Sequence, residues 1–327
     1  MAKQKYSGIG GQAILEGIMM KNGEYYACAV RREDKSIAVD RQRYVSLTDR
    51  YPLFRLPFVR GVFSFADSMI LGMRALNWSA EIYAEGEEEE EEEEEPSKFE
   101  RFLEKTFGEK AMKVMMGVIM AFSFLAAIGI FMLLPMFLAG LLRRVLANET
   151  LIAVLEGVFR ILIFILYIKA ISRMEDIHRT FMYHGAEHKC INCVEHGLPL
   201  TVENVMKSSK EHKRCGTSFI LIVMMISILF FIVIRPETLL LRAVSRILLM
   251  PVIAGVSYEF LRFTGTHDSA FVNALSRPGM WMQGLTTTEP TPEMAEVAIQ
   301  AVEAVFDWRE YLRKNFDATF PETETNA

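Results

Sequence analysis

Cysteine and histidine are scarce in this sequence, which has only four cysteines and six histidines among its 327 residues. Four unevenly spaced cysteines are too few for a disulfide framework, so thiol or metal roles are favoured. The first residues carry positive charge but lack the apolar core of a secretory signal. We therefore expect no cleaved leader and a first domain that stays in the cytosol.

The glycine-rich N-terminus lacks the remaining residues of a nucleotide-binding loop. Gly8, Gly10 and Gly11 are not followed by Gly-Lys-Ser/Thr, and no dinucleotide fingerprint can be completed. We expect a tight turn beside a strand at this point. Glu16 stands alone between apolar neighbours, which makes it a candidate to face a functional site.

Acidic charge is concentrated in one run. The formal net charge is -5, and the nine consecutive glutamates from Glu87 to Glu95 more than account for it. Like charges repel each other and such a tract cannot bury apolar surface. The sequence therefore predicts a disordered cytosolic linker over 85–97.

Apolar residues make up 51% of the chain, and their long runs predict a polytopic α-helical membrane protein with about four transmembrane helices. The membrane domain is predicted over 98–264, and its four spans follow: about 112–142, 151–171, 217–234 and 247–263. The fourth span is short and contains Pro251, Gly255 and Glu259. A re-entrant or interfacial segment is the alternative for it.

Basic residues predict the orientation of these spans. Lysine and arginine are frequent in the loop 172–216, whereas only Arg143 and Arg144 are basic between the first two spans. Because cytosolic loops carry the excess of positive charge, we expect the loop and both termini to face the cytosol. Three arginines fall on the other side and oppose this prediction: Arg235, Arg242 and Arg246.

The residues before the first span predict a small α+β cytosolic domain over 1–84. Tyr25–Arg32 and Ile37–Val45 are rich in strand formers and flank a short polar loop, which indicates a hairpin. An amphipathic helix is predicted over 58–81. Amphipathicity alone does not decide whether this helix lies on the membrane surface or packs on the domain's own core.

A C-terminal amphipathic helix is predicted over 292–314, within a cytosolic segment that covers 265–327. Thr291 supplies a capping hydroxyl, and Pro292 takes the first helical position. Because the apolar positions of this helix fall on one face, we expect it to dock on the soluble part of the protein.

The residue types that bind metals are densest between the second and third spans. His184 and His188 are four residues apart, so in a helix continuing from the second span they project from one face. With Glu187 they form H-x-x-E-H, the inverted zincin pattern, in which two histidines bind zinc and the glutamate activates water. Glu195, His212 and Cys215 are the candidates for a third ligand, and we favour His212 or Cys215.

A structural metal site is the alternative use of the same region. Cys190 and Cys193 have the two-residue gap of a zinc knuckle, and with His212 and Cys215 they would make a closed Cys₃His site. A closed site takes four protein ligands, whereas a catalytic site leaves a position for water. The sequence leaves a catalytic metal, a structural metal and no metal as open alternatives.

Several stretches, specific in combination, are spread over nearly the whole chain: Gly10–Met20, Arg60–Gly61, Gly72–Ala80, Tyr183–Lys189, Arg214–Phe219, and Pro278–Gly279 with Gln283–Thr287. Together they resemble the YqhQ family of bacterial membrane proteins, described as predicted metal-dependent enzymes without an established substrate. The resemblance implies a multi-pass protein of the bacterial cytoplasmic membrane with a metal site. It favours these site residues: His184, Glu187, His188, Glu195, His212 and Cys215, with Glu16 approaching them.

The sequence therefore predicts a membrane-embedded hydrolase that depends on a divalent metal, with zinc as the expected ion, and acts at the cytosolic membrane face. His184 and His188 would bind the metal, and Glu187 would be the general base. The alternative is a non-enzymatic membrane scaffold or adaptor with a structural metal. The expected partners are the lipid bilayer and a membrane-associated substrate or protein, not nucleic acid. The substrate and the oligomeric state stay open.

Overall fold

A four-stranded antiparallel sheet precedes the helices of the protein. The computed structural model describes residues 4–90, 115, 118–234, 236, 238–267 and 269–320. The strands pair in sequence order: β1 (Gly10–Ile14), β2 (Gly17–Asn22), β3 (Tyr25–Arg31) and β4 (Ile37–Arg43). The predicted hairpin is confirmed as β3 and β4, and a further pair of strands precedes it.

Helices form most of the described residues. Along the chain they are α1 (Leu47–Arg50), α2 (Val59–Glu90), α3 (Val118–Arg144), α4 (Glu149–Ile171), α5 (Glu175–Glu195), α6 (Val202–Lys207), α7 (Gly216–Val233), α8 (Leu239–Thr266), α9 (Ala270–Thr286), α10 (Pro292–Val305) and α11 (Trp308–Phe316). Pro52–Arg55 forms a short 3₁₀ helix, and α3 contains a π-helical segment at Gly129–Leu133.

The chain divides into two compact units. The first contains Met1–Gly86, Ile168–Ile226 and Pro236–Ala327, and the second contains Glu87–Tyr167 and Ser227–Arg235. The N-terminal domain, the loop rich in histidine and cysteine, and the C-terminal segment therefore belong to one unit, although the sequence suggests separate segments.

Both faces of the sheet are buried in the first unit. Ile18 and Met20 of β2 join the core that α5 and α10 form on one face, while Met19 joins a core with α2 on the other. Successive residues of a strand point to opposite faces, so a strand buried on both sides is apolar without alternation. The run from Gly17 to Met20 is buried throughout.

Four helices are long and apolar enough to cross a membrane, which is compatible with a membrane protein. They are α3, α4, α7 and residues Leu240–Gly265 of α8. The orientation of these helices stays a prediction. Arg235, which opposed it, and residues 112–114 and 116–117 of the predicted first span lie outside the described residues.

The fourth apolar helix is longer than its prediction. The predicted span covered 247–263, whereas the apolar part of α8 runs for 26 residues and passes through Pro251. Gly255 and Glu259, which favoured a re-entrant or interfacial segment over a full span, make contacts near the beginning of α2. A Cβ on Gly255 would lie 2.4 Å from the carbonyl oxygen of Phe58, and Glu259 pairs with Arg60.

Three other predicted boundaries differ from the structure. The histidine helix does not continue from the second span, because the chain turns at residues 172–174 before α5 begins. α2 continues to Glu90, into the predicted linker, since glutamate is a good helix former; residues 91–97 lie outside the described residues. The predicted helix 292–314 is two helices, because Phe306 is extended and Asp307 caps α11.

The second unit contains an ion pair within apolar helices. Arg160 and Glu156 of α4 are 3.1 Å apart, and Arg160 also donates to the hydroxyl of Ser227, at 3.0 Å. Four-residue spacing with the acid first is the favourable order on a helix. The pair joins α4 to the end of α7 that belongs to the same unit.

Candidate metal centre

The two histidines of the predicted motif lie side by side on α5. His184 and His188 are one helical turn apart, and their ring centroids are separated by 4.4 Å. The predicted shared face is therefore confirmed. From Tyr183 to Glu195 every residue except His184 is buried, so this half of α5 is part of the protein core.

Backbone carbonyls fix the tautomer of both imidazole rings. The Nδ1 atom of His184 lies 2.9 Å from the carbonyl oxygen of Thr286, and that of His188 lies 2.6 Å from the carbonyl oxygen of Lys210. A carbonyl oxygen only accepts hydrogen bonds, so each Nδ1 carries the proton. With the proton on Nδ1, Nε2 is the ring atom available to bind a metal, the arrangement typical of histidine ligands.

Cys215 brings a sulfur atom to the two histidines. It lies just before α7, and its Sγ is 3.2 Å from Nε2 of His184. The backbone N–H of Thr217 also donates to this sulfur, at 3.4 Å. One ligand atom from each of His184, His188 and Cys215 lies within 4.8 Å of the others. We call these three residues the triad.

Two glycines permit the close approaches that build this site. A Cβ on Gly185 would lie 2.0 Å from the carbonyl oxygen of Thr288, so glycine lets the segment after α9 approach α5. A Cβ on Gly11 would lie 3.1 Å from Cγ of Glu187. Gly185 therefore costs helix propensity but permits the contact that brings Thr286 to His184.

Glu187 lies beside the triad in a cavity of about 110 Å³. Its side chain is buried, and burial raises its pKa, an effect that His184 and the backbone N–H of Gly11 partly offset. The rest of the cavity wall comes from the start of β1 with the residue before it, from α5, and from the chain that leads into α7: Ile9, Gly10, Gly11, His184, His188, Ile191, His212, Arg214, Cys215 and Gly216.

Glu195 and His212 form a neighbouring ion-pair network and are not in the triad. Arg214 contacts Glu195 at 2.5 Å, and Ser7 donates its N–H and hydroxyl to the same carboxylate at 2.9 and 2.8 Å. Nε2 of His212 lies 3.5 Å from Glu195 and 3.2 Å from Arg214. The side chains of Glu195 and His212, both predicted as ligands, therefore contact Arg214 and each other.

The network sets the charge of its members. Burial acts to raise the pKa of Glu195, but the hydrogen bond with His212 and the charge of Arg214 outweigh it and lower this pKa to about 2. Burial lowers the pKa of His212. Glu195 is therefore an anion at neutral pH, with Arg214 as its counter-charge and a neutral His212 beside it.

The remaining candidates lie away from the triad. Cys190 belongs to the core, and Sγ of Cys193 contacts the carbonyl oxygen of Pro199. Burial raises the pKa of both thiols, in Cys193 to about 11. Each residue turns a helix by about 100°, so both cysteines point away from His184 and His188. Glu16 pairs instead with Arg179.

Sequence analysis did not single out Gln283 of α9. Its side chain is fully buried, where it accepts from the N–H of His212 at 2.9 Å and donates to the carbonyl oxygen of His212 at 2.7 Å. It therefore holds the chain that leads to Cys215. Two features of the sequence could have indicated its role: a glutamine lies between apolar residues of a helix, and it begins one of the stretches that carry the family resemblance.

Comparison with known proteins identifies the family. A family model described as "Protein of unknown function (DUF1385)" matches residues 56–308. The chain belongs to this family. The DUF1385 match includes all three triad residues and Glu187, whereas the β1 residues of the cavity precede it.

A bacterial relative supports the predicted resemblance. "Uncharacterized protein YqhQ" of Bacillus subtilis (strain 168) is 36% identical over 295 residues, which cover 89% of this chain and 90% of the relative. The resemblance to the YqhQ family is thereby confirmed. No solved structure matches this DUF1385 chain.

Proposed function

We propose that this protein is a metal-dependent hydrolase, with zinc as its ion, at the cytosolic face of the bacterial cytoplasmic membrane. One observation carries the proposal: two imidazoles and a thiol lie within 4.8 Å of one another, and both imidazoles are held as the Nδ1–H tautomer. An Nδ1–H bonded to a backbone carbonyl is the arrangement that orients histidine ligands in metal sites.

The donor set fits zinc. Two nitrogens and one sulfur suit a borderline-soft ion, and three protein ligands leave a fourth position for water or substrate, as in catalytic zinc sites. When bound, zinc would activate water for attack and polarise a carbonyl or phosphoryl oxygen. Thr286 and Lys210 would hold the histidine ligands through their carbonyl groups.

Glu187 is the general base in this proposal. Its position in the cavity wall beside His184 and His188 suits a group that takes a proton from water. The backbone N–H of Gly11 bonds its carboxylate, and burial raises its pKa, which makes the carboxylate a stronger base. Glu187 would accept the proton from the attacking water and return it to the leaving group.

A closed structural site is supported less well. It takes four protein ligands, and the described residues bring three together. Glu195 and His212 pair with Arg214, while Cys190 and Cys193 lie elsewhere in the protein. The scaffold or adaptor alternative has no comparable observation in its favour.

The location of the site suggests the class of substrate. The triad residue Cys215 directly precedes α7, one of the helices apolar enough to cross a membrane. The excess of basic residues in the loop 172–216 favours a cytosolic position for this end. We therefore infer a substrate at the cytosolic membrane surface: a peptide, a lipid or a lipid-linked molecule.

Metal analysis combined with a matched set of variants tests the proposal. Purified protein should contain one zinc per chain, and His188→Ala and Cys215→Ser should each bind zinc more weakly and be purified with less than one zinc per chain. His196→Ala, directly after the end of α5, is the control, because Nδ1 of His196 bonds the carbonyl oxygen of Asn192, away from the triad. This variant should keep its zinc.

Glu187→Gln separates catalysis from binding. This variant should retain zinc, because Glu187 is not a ligand in the proposal. Bacterial membranes incubated with the protein in ¹⁸O-labelled water should yield labelled products with the wild type and none with Glu187→Gln, as measured by mass spectrometry. Wild type without zinc refutes the metal site, and equal labelling by both proteins refutes the role of Glu187.

A further inference from the structure

Helix α2 has an exposed face of large apolar side chains. Six residues at helical spacing share one face: Val59, Phe65, Met69, Ile70, Met73 and Leu76. We call this the α2 apolar face. Met69 and Met73 are each 53% exposed, whereas Leu71 and Ala75 on the opposite side are buried. A helix in water normally buries its apolar side. We therefore expect another molecule or surface to cover the α2 apolar face.

The opposite side of α2 is fixed by specific contacts. Asp67 is buried, and it accepts from the hydroxyl of Tyr44 at 2.7 Å and from the N–H of Leu47 at 3.0 Å. At the edge of the apolar face, next to Leu76, a Cβ on Gly72 would lie 2.5 Å from Oε1 of Gln12 in β1. Rotating the helix to bury its apolar face would break these contacts. α2 therefore packs on the domain core through Leu71 and Ala75, and its apolar face stays exposed.

The α2 apolar face begins beside two helices of transmembrane composition. Arg60 forms a two-point ion pair with Glu259 of α8. Phe65 packs against Phe219 of α7, with the rings tilted and their centroids 5.9 Å apart. Both helices are apolar enough to cross a membrane. The apolar surface of α2 therefore continues the surface of helices that are suited to lipid.

The chain just before α2 enlarges this surface. Three apolar side chains there are more than half exposed, and the most exposed is Leu53 at 73%: Leu53, Leu56 and Phe58. Tyr51 and Phe54 add an aromatic pair with ring centroids 5.3 Å apart. Aromatic residues are enriched where a protein meets the boundary between lipid and water.

We propose that the α2 apolar face docks on the surface of the lipid bilayer, beside α7 and α8. The continuity with those helices selects lipid over a separate protein partner. α2 itself does not cross the membrane, because its other side holds the sheet through Asp67, Leu71 and Ala75. The proposal is independent of the metal site and of any hydrolase activity.

Spin labels on the full-length protein in lipid nanodiscs test this docking. Met69→Cys and Met73→Cys carry the label on the α2 apolar face. Glu203→Cys on α6 is the matched control, because its side chain is 76% exposed on a different helix. Wild type treated with the same label gives the background, since its four cysteines are buried.

Collisions with oxygen, which concentrates in lipid, and with a water-soluble nickel chelate are then compared. The ratio of oxygen to nickel collisions should be several-fold higher at positions 69 and 73 than at 203. Equal ratios would show that the face lies in water and would overturn the proposal. Low accessibility to both reagents, or spin–spin broadening that disappears on dilution with unlabelled protein, would show a protein partner or a second copy and would also overturn it.

Discussion

The substitution Gly185→Ala should weaken metal binding although it adds a better helix former to α5. A Cβ at this position would lie 2.0 Å from the carbonyl oxygen of Thr288, and ordinary contacts begin at 3.4 Å. The segment after α9 must therefore move by more than 1 Å. Thr286 is the last residue of α9, two positions before Thr288, and its carbonyl oxygen lies 2.9 Å from Nδ1 of His184, so this hydrogen bond should be lost when Thr288 moves.

The expected size of the effect follows from these contacts. Loss of an outer hydrogen bond to a ligand typically weakens metal affinity 10- to 100-fold, about 1.4 to 2.7 kcal/mol. The helix should gain about 1 kcal/mol from alanine, but a clash in packed surroundings costs about 1 to 3 kcal/mol. We therefore expect little net change, or a modest loss, in the free energy of unfolding.

Chelator competition measures the zinc affinity, and denaturation in detergent measures the stability. The matched control is Gly284→Ala in α9, because no atom lies within 4 Å of a Cβ at Gly284. It should be neutral or stabilising by up to about 1 kcal/mol, with unchanged zinc affinity. Gly185→Ala with wild-type affinity in a folded protein would refute the role assigned to Thr286.

Three further predictions concern stability, measured as the free energy of unfolding in detergent. Glu195→Gln should lower this free energy by about 3 kcal/mol, because it leaves Arg214 without its buried counter-charge. Glu203→Gln, on the exposed face of α6, is the control and should change it very little. The difference in the free energy of unfolding between wild type and Glu195→Gln should have its full value above a pH of about 4.5 and decline as the pH falls toward 2. The reason is that the pKa of Glu195 is lowered in the folded protein. A difference that does not change with pH would contradict this. Leu312→Ala should cost about 2 to 5 kcal/mol because Leu312 is fully buried, whereas exposed Leu198→Ala should cost far less.

Periodicity made the central features of the site predictable. Four-residue spacing placed His184 and His188 on one face because a helix repeats every 3.6 residues, and the hairpin of β3 and β4 followed from strand formers around a polar loop. Cys215 was among the preferred ligands. The four apolar helices followed from length and composition, with the extent of α8 underestimated.

Other features of the site could not be predicted from residue types or their spacing. The groups that fix the imidazole tautomers are the backbone carbonyls of Thr286 and Lys210, which any residue type supplies. The Cys190–Cys193 spacing suggested a metal knuckle, but helical geometry directs both thiols away from the triad. Glu195 lies on the His188 side of α5, yet it is two turns further along and pairs with Arg214.

X-ray absorption at the zinc edge of the purified full-length protein tests the central claim most directly. Ligation by His184, His188 and Cys215 predicts one sulfur neighbour at about 2.3 Å and two imidazole nitrogens at about 2.0 to 2.1 Å, with one further light atom. The sulfur signal should disappear in Cys215→Ser reconstituted with zinc. A wild-type spectrum without sulfur, or with two or more sulfur neighbours, would contradict the proposed metal centre.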